Sequence, residues 1–204
     1  MKNCGGLDGE LASLAVEAVR SCGATRWQWI RPTDLEVRAA FRISCEMNQC
    51  GRYGACWSCP PALPDVAALA RELRGFQAGL VFQMDAPLGD DFDYSTMEAG
   101  ALEFYALCRC IEQQLAAVHA ASLVLGAGSC RECRRCTYPD APCIRPQGPV
   151  YSLEAYGVDV TALCERADLP YQIQDGRIPY TGLLLLRDAT ADTLHLGQGG
   201  SLSE

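Results

Sequence analysis

Lysine is almost absent from this chain of 204 residues: Lys2 is the only lysine among seventeen basic residues. Twenty-five acidic residues leave a net charge of −8, so the chain lacks the basic face on which a general nucleic-acid binder relies. Histidine is scarce too. His119, at a predicted helix end, and His195, near the end of the sequence, offer no base for a Ser–His–Asp hydrolase. The chain has no G-x-x-x-x-G-K-[ST] phosphate loop and no H-E-x-x-H, and "GAGSCR" begins like a dinucleotide fingerprint without its last glycine. The C-x3-C-x2-C spacing of enzymes that cleave S-adenosylmethionine is missing as well. No apolar run approaches the roughly 18 residues of a membrane span. The opening "MKNCGGLDGELASLAVEAVR" carries no basic region followed by a continuous apolar stretch, so no secretory signal is expected. The expected address is the cytoplasm, with no membrane and no nucleic acid among the partners.

What the chain does have is cysteine, thirteen of them. Disulfide frameworks belong to short secreted chains that cannot build a core. This chain is 49% hydrophobic and long enough to bury one. The number is odd, and most of these cysteines sit too close in sequence for separate bridges. Metal is the better reading.

The pattern between the cysteines predicts one α/β domain over residues 1–188 and a loose Gly- and Ser-containing tail over 189–204. Leu11 to Ser21 reads as a helix with Leu11, Leu14, Ala15, Ala18 and Val19 on one face and Gly23 as the stop. "TRWQWI" is a strand, "DLEVRAAFRIS" a short helix, and Asp65 caps a helix through Arg74 that Gly75 closes. "GLVFQM" is a buried strand. Ser95 and Glu98 form a capping box, followed by a stripe of Met97, Ala101, Phe104, Cys108, Ile111, Leu115 and Val118. "SLVLGAG" is the strand that delivers the chain into the second cysteine group. Asp159 to Ala167 is helical, the Asp-Gly of "YQIQDGRIPY" is a hairpin turn, and "TGLLLLRD" is the last strand. Alternating strands and helices predict a mainly parallel sheet with an antiparallel hairpin strand and two cysteine-rich loops. Ligands of such sheets lie beyond the carboxyl ends of strands, where the second cysteine group falls.

That second group, Cys130-x2-Cys133-x2-Cys136-x6-Cys143, is the most specific signal present. Three thiolates at successive gaps of two let a tight loop wrap one face of an inorganic cube, and a fourth closes the remaining corner. Structural zinc usually takes two separated C-x2-C pairs. The spacing therefore favours a [4Fe–4S] cluster, with a zinc knuckle as the alternative. Arg131, Arg134, Arg135 and Arg145 crowd the segment; each taken singly reads as part of a solvated basic loop, although together they could offset a cluster's charge. The first group, Cys45-x4-Cys50-x5-Cys56-x2-Cys59, is looser. Gly51 and Gly54 permit sharp turns, and Pro60 and Pro61 stiffen the exit. All four of its cysteines could complete a second cluster, or three could ligate and leave one iron open. Cys4, Cys22, Cys108, Cys110 and Cys164 have no ligand spacing, and Cys108 reads as a small core residue.

The segments "CGRYGACWSCPP", "CRECRRCTYPDAPCIRP", "SLEAYGVDV" and "YTGLLLL" together resemble the bacterial and archaeal family of predicted metal-binding proteins, domain of unknown function 2284, from roughly Cys45 to Arg187. The resemblance implies metal binding and iron–sulfur clusters, without a reaction. It matches Cys45, Cys50, Cys59, Cys130, Cys133, Cys136 and Cys143 to family cysteines. Cys56 stands where the family usually has another residue, which keeps the three-cysteine site open.

The expected function is thus a protein binding one or two [4Fe–4S] clusters in electron transfer or as redox accessory to a partner enzyme. An acidic carrier would meet a partner with a basic docking surface. The alternatives are an enzyme with an open iron beside Tyr53 and Trp57, residues that otherwise shield a cluster from water, and a zinc-structured binding module. A relay requires both cysteine loops at the same end of the sheet.

Overall fold

The computed structural model describes residues 6–89, 93–116 and 120–188. Helix α1 (Gly9–Ser21) starts at Asp8, whose carboxylate accepts from the backbone N–H groups of Glu10 and Leu11. Strand β1 (Arg26–Ile30) follows. A 3₁₀ turn over Ala39–Arg42 runs into the single-turn helix α2 (Ile43–Glu46), so only the end of the predicted helix "DLEVRAAFRIS" is helical. Then come α3 (Val66–Arg74), β2 (Ala78–Pro87), α4 (Tyr94–Leu115), β3 (Ala120–Gly126), β4 (Tyr151–Ser152), α5 (Val160–Ala167) and β5 (Arg177–Asp188). Asp65 caps α3 as the sequence predicts, and Asp159, expected inside the next helix, caps α5. At α4 the cap is Asp93, which accepts from the Thr96 N–H at 3.0 Å. The predicted Ser95–Glu98 capping box does not form: Ser95 lies inside the helix and donates back to Asp93, and Glu98 pairs with Arg131.

One five-stranded sheet, in the order β1-β2-β5-β3-β4, forms the centre. Its β1/β2, β2/β5 and β3/β5 pairs are antiparallel, and only the short β3/β4 pair is parallel. The expectation of a mainly parallel sheet is therefore corrected. The cause is that helices cover both faces. In β5, Leu184 and Leu186 face α1 and α4, while Leu183 and Leu185 face α3 and α5. A strand buried on two sides reads as a continuous apolar run whatever its direction, a pattern more common in parallel sheets. Each such leucine contributes about 1.5–3 kcal/mol of burial. Gly182 has a packing reason to lack a side chain: a Cβ there would lie 2.4 Å from the Phe82 ring.

The α4 stripe from Phe104 through Cys108 and Ile111 to Leu115 is buried against the sheet; Val118 lies outside the described residues. Leu14, placed on the buried face of α1 by its spacing, is instead 43% exposed. Asp175 and Gly176 both take positive φ, at 50° and 66°, and close the turn between Gln174 and Arg177. The predicted hairpin turn is present, although before it only an isolated bridge forms. The chain's second surprise is covalent. Cys22, at the end of α1, is bonded to Cys110 on α4 with a Cα–Cα separation of 5.8 Å. Eighty-eight positions separate the two cysteines, so no spacing could have announced them. Residues 189–204, Cys4, His119 and His195 lie outside the described residues. Among the described residues no helix is long and apolar enough to cross a membrane.

Candidate metal centre

β3 ends at Gly126, and Gly128, at φ 72°, turns the chain away from the sheet. The loop that follows has neither helix nor strand until Tyr151. Its shape comes from its own polar contacts. Thr137 Oγ1 donates to the Pro142 carbonyl at 2.8 Å and Ala141 N–H donates to the Thr137 carbonyl at 2.9 Å, which folds the six-residue gap back and returns Cys143 toward Cys136. Cys130, Cys133, Cys136 and Cys143 all line one cavity, and each is half-buried. The loop thus brings its four predicted ligands together.

The first cysteine segment covers this cavity. Gly51 and Gly54 take φ of 68° and 65°, and Gly54 N–H donates to the Pro60 carbonyl at 2.8 Å, closing the segment on itself. Trp57 donates through Nε1 to the Ala141 carbonyl at 3.0 Å and meets Tyr138 edge-on, with ring centroids 4.9 Å apart. Ser58 is fully buried, and its Oγ accepts from the Cys130 backbone N–H at 3.0 Å. The same hydroxyl lies 3.3 Å from Cys56 Sγ and 3.8 Å from Cys59 Sγ. The two cysteine segments therefore meet at one end of the sheet.

They are not used alike. Cys56 is buried and lines the cavity of the second group while staying within hydrogen-bonding reach of Cys59. Cys50 is exposed, and Cys45 and Cys59 are half-buried. The charges sort in the same way. A hydrogen bond from the Cys59 thiol brings Cys56 down to about 6, against the opposing effect of burial and with help from Ser58 and Arg52. Cys59 is pushed up in exchange by that same bond, and by burial. Burial and the neighbouring Cys130, Cys136 and Cys143 raise the Cys133 thiol, because like charges in one cavity resist joint ionisation. Burial, then Glu154 and Cys50, raise Cys45. Among the described residues no three His, Cys, Asp or Glu side chains converge closely enough to hold a single metal ion.

Behind the second loop stands a charged network absent from any spacing pattern. Tyr105 Oη lies 3.2 Å from Cys130 Sγ and donates to Glu132 at 3.2 Å. Arg109 Nε donates to Glu132 at 2.7 Å, and Arg145 Nη2 donates to Glu112 at 2.9 Å. Arg145 is only 7% exposed, and its Nε and Nη1 have no hydrogen-bond partner. The reading of the four arginines as a solvated loop is thus corrected for Arg145 and for Arg131, which pairs with Glu98. It holds for the exposed Arg134 and Arg135. Ser58, Tyr105 and Glu154 went unnoticed in the sequence. Only Ser58, enclosed in Cys56-x2-Cys59, carried a signal.

A family model described as predicted metal-binding protein, domain of unknown function 2284, matches residues 28–186, a span that contains both cysteine segments. No curated protein matches the chain. One solved structure, of a Clostridium acetobutylicum protein described as "Putative NADH Oxidase", overlaps 93% of this chain and 82% of its own. Its identity is 11% and its TM-score 0.40, a likeness too low to speak for fold or function.

Proposed function

As the chain belongs to this family of predicted metal-binding proteins, we propose that it holds a [4Fe–4S] cluster on Cys130, Cys133, Cys136 and Cys143, holds a second on Cys45, Cys50 and Cys59, and serves in electron transfer or as redox accessory to a partner enzyme. The observation that carries this reading is the cavity ringed by all four cysteines of the second group. Its donors are soft thiols, the ligand type of iron–sulfur clusters. A single zinc ion draws its four sulfurs to about 2.3 Å from itself, and hence to within roughly 4 Å of one another. A cube spreads its thiolates over its corners, an arrangement that a loop with successive gaps of two can supply. Such a cluster supplies one-electron redox chemistry.

The protein's own residues prepare that centre. Ser58 fixes the Cys130 backbone and thereby ties the two segments together. Trp57 lines the cavity and packs edge-on against Tyr138, which supports the shielding role over a substrate pocket. Tyr105 orients the Cys130 sulfur, and the buried Arg145 places a positive charge behind the loop. The adjacency of the segments supports a relay between two centres. The acidic chain suits a cytoplasmic partner with a basic docking surface.

The placement of Cys56 favours a second reading of the first site. With Cys56 in the neighbouring cavity, Cys45, Cys50 and Cys59 leave one corner of a cube without a cysteine, which makes that site reactive instead of purely electron-carrying. Electron paramagnetic resonance of the anaerobically reduced protein tests the proposal. Two clusters side by side give a spectrum broadened by spin coupling, and the paired substitution C133A/C136A leaves one sharp signal. A protein with no paramagnetic signal after reduction would sink both readings.

A further inference from the structure

The Cys22–Cys110 bond takes no part in the metal site, and its surroundings set it apart from a buried structural bridge. Ten cysteines are free among the described residues, eight of them in the two cysteine segments. Those segments need unoxidised thiols to take up metal, so the function proposed above requires an environment that keeps thiols reduced. In such an environment a disulfide is usually transient and redox-sensing rather than structural.

Both sulfurs are within reach of a reductant. Cys22, at the C-terminal cap of α1, and Cys110, on α4, are half-buried, whereas Cys108 and Cys164 are fully enclosed. Gln114, exposed and one turn beyond Cys110, directs its amide Nε2 at both, 3.3 Å from Cys22 Sγ and 3.6 Å from Cys110 Sγ. Ser21 Oγ, at the end of α1, holds that nitrogen at 3.1 Å. An N–H aimed at a sulfur favours its thiolate, the form in which it leaves a broken disulfide. The fold does not hang on the bond alone, since Leu11, Ala15, Ala18 and Val19 bury α1 in the core. One residue before Cys110, Arg109 holds Glu132 of the second cysteine loop; two residues after it, Glu112 holds Arg145. The bond therefore ties α1 to the stretch of α4 that supports this loop.

We infer that Cys22–Cys110 is a thiol–disulfide switch, opened by a small monothiol of the glutathione class while the fold stays intact. A reductant thiolate attacks one sulfur of the bond and displaces the other as a thiolate, leaving a mixed disulfide. A second reductant thiolate attacks the reductant's sulfur in that mixed disulfide and releases the remaining cysteine. Two electrons pass to the chain, each cysteine thiolate takes up a proton, and the reductant leaves as its own disulfide. Opening removes the covalent tie beside Arg109 and Glu112, so the second cysteine loop loses part of its support.

Anaerobic incubation of the folded, metal-loaded protein in glutathione buffers tests it, with samples quenched in acid, alkylated and mapped by mass at Cys22 and Cys110. Raising the ratio of squared thiol to disulfide about a hundredfold across the midpoint should carry the pair reversibly from mostly closed to mostly open. The helical circular dichroism should not change. Gln114→Ala, at an exposed position, should slow opening severalfold. C22S/C110S, which is locked open, should release iron to a chelator severalfold faster than the closed wild type. The exchange at Cys22 and Cys110 is read whether or not metal is bound, and iron measured on each sample keeps a failure of the metal reading separate. A bond that stays closed in excess glutathione, or opens only with loss of helix, would overturn the inference. So would an unchanged opening rate in Gln114→Ala, or equal iron release from the locked-open variant.

Discussion

The two cysteine segments carry the same number of thiols and use them in opposite ways. The second gathers Cys130, Cys133, Cys136 and Cys143 around one cavity. The first holds its own more loosely, with Cys50 exposed, Cys45 half-buried, and Cys56 bonded to Cys59 through a hydrogen bond while lining the other segment's cavity. Gaps of two residues confine a loop so tightly that the thiols must share a side. Gaps of four and five leave the glycines and prolines to decide, and Gly51, Gly54 and the Pro60–Pro61 exit send Cys56 inward. Compact spacing can be read as geometry, whereas loose spacing can be read only as composition.

The largest effect that would sharpen this contrast comes from C133A/C136A. It should remove about half the bound iron and sulfide, measured per chain, and leave the first site's share in place. Equal loss from both sites would show that the segments form one centre. The next effect concerns the helices rather than the loops. C110S opens the Cys22–Cys110 bond, whose wide sequence separation makes it costly to lose, and should lower stability by about 2–4 kcal/mol in urea unfolding. Metal content should not change, since neither cysteine lies on the cavity.

Ser58→Ala removes the hydroxyl that holds Cys130 and contacts both thiols of its own segment. Loss of a buried hydrogen bond with its acceptor role should cost about 1–3 kcal/mol, read as a lowered urea midpoint together with faster release of metal to a chelator. If stability falls and metal release does not quicken, the two segments are joined structurally but not functionally.

The smallest effect separates Cys56 from the ligands. In the folded, metal-free chain Cys56 ionises at about 6, below an ordinary cysteine at about 8.5. Between those values the unfolded chain binds more protons, so stability rises with pH through the window and is lost as pH falls through the folded value. Urea midpoints at pH 6.5 and 8.5 should show this slope, and C56S should flatten it while metal content stays that of wild type. A loss of metal in C56S would return Cys56 to the ligands.

How much of this was legible beforehand follows from the same physics. The cap at Asp65 and the Asp175–Gly176 turn are local, and the sequence displayed them. The strand β5 was visible as an apolar run, but its direction was not, because Leu183–Leu186 pack against helices on both faces. The capping box failed by two residues: Asp93 offers the same carboxylate chemistry as Ser95 offers by its hydroxyl, and it reached the free N–H first. Arg145 could not be distinguished from Arg134 by sequence, since its burial is set by Glu112 on the distant α4. Tyr105 and Glu154 are tertiary in the same sense. That the second segment's thiols share one cavity could be read from their spacing, because their proximity is a property of the loop alone.

Iron, acid-labile sulfide and zinc, quantified per chain on protein purified without oxygen, test the central claim most directly. Two cubanes predict about eight irons and eight sulfides with a brown chromophore. Stoichiometric zinc without sulfide, in a colourless protein, would contradict the account.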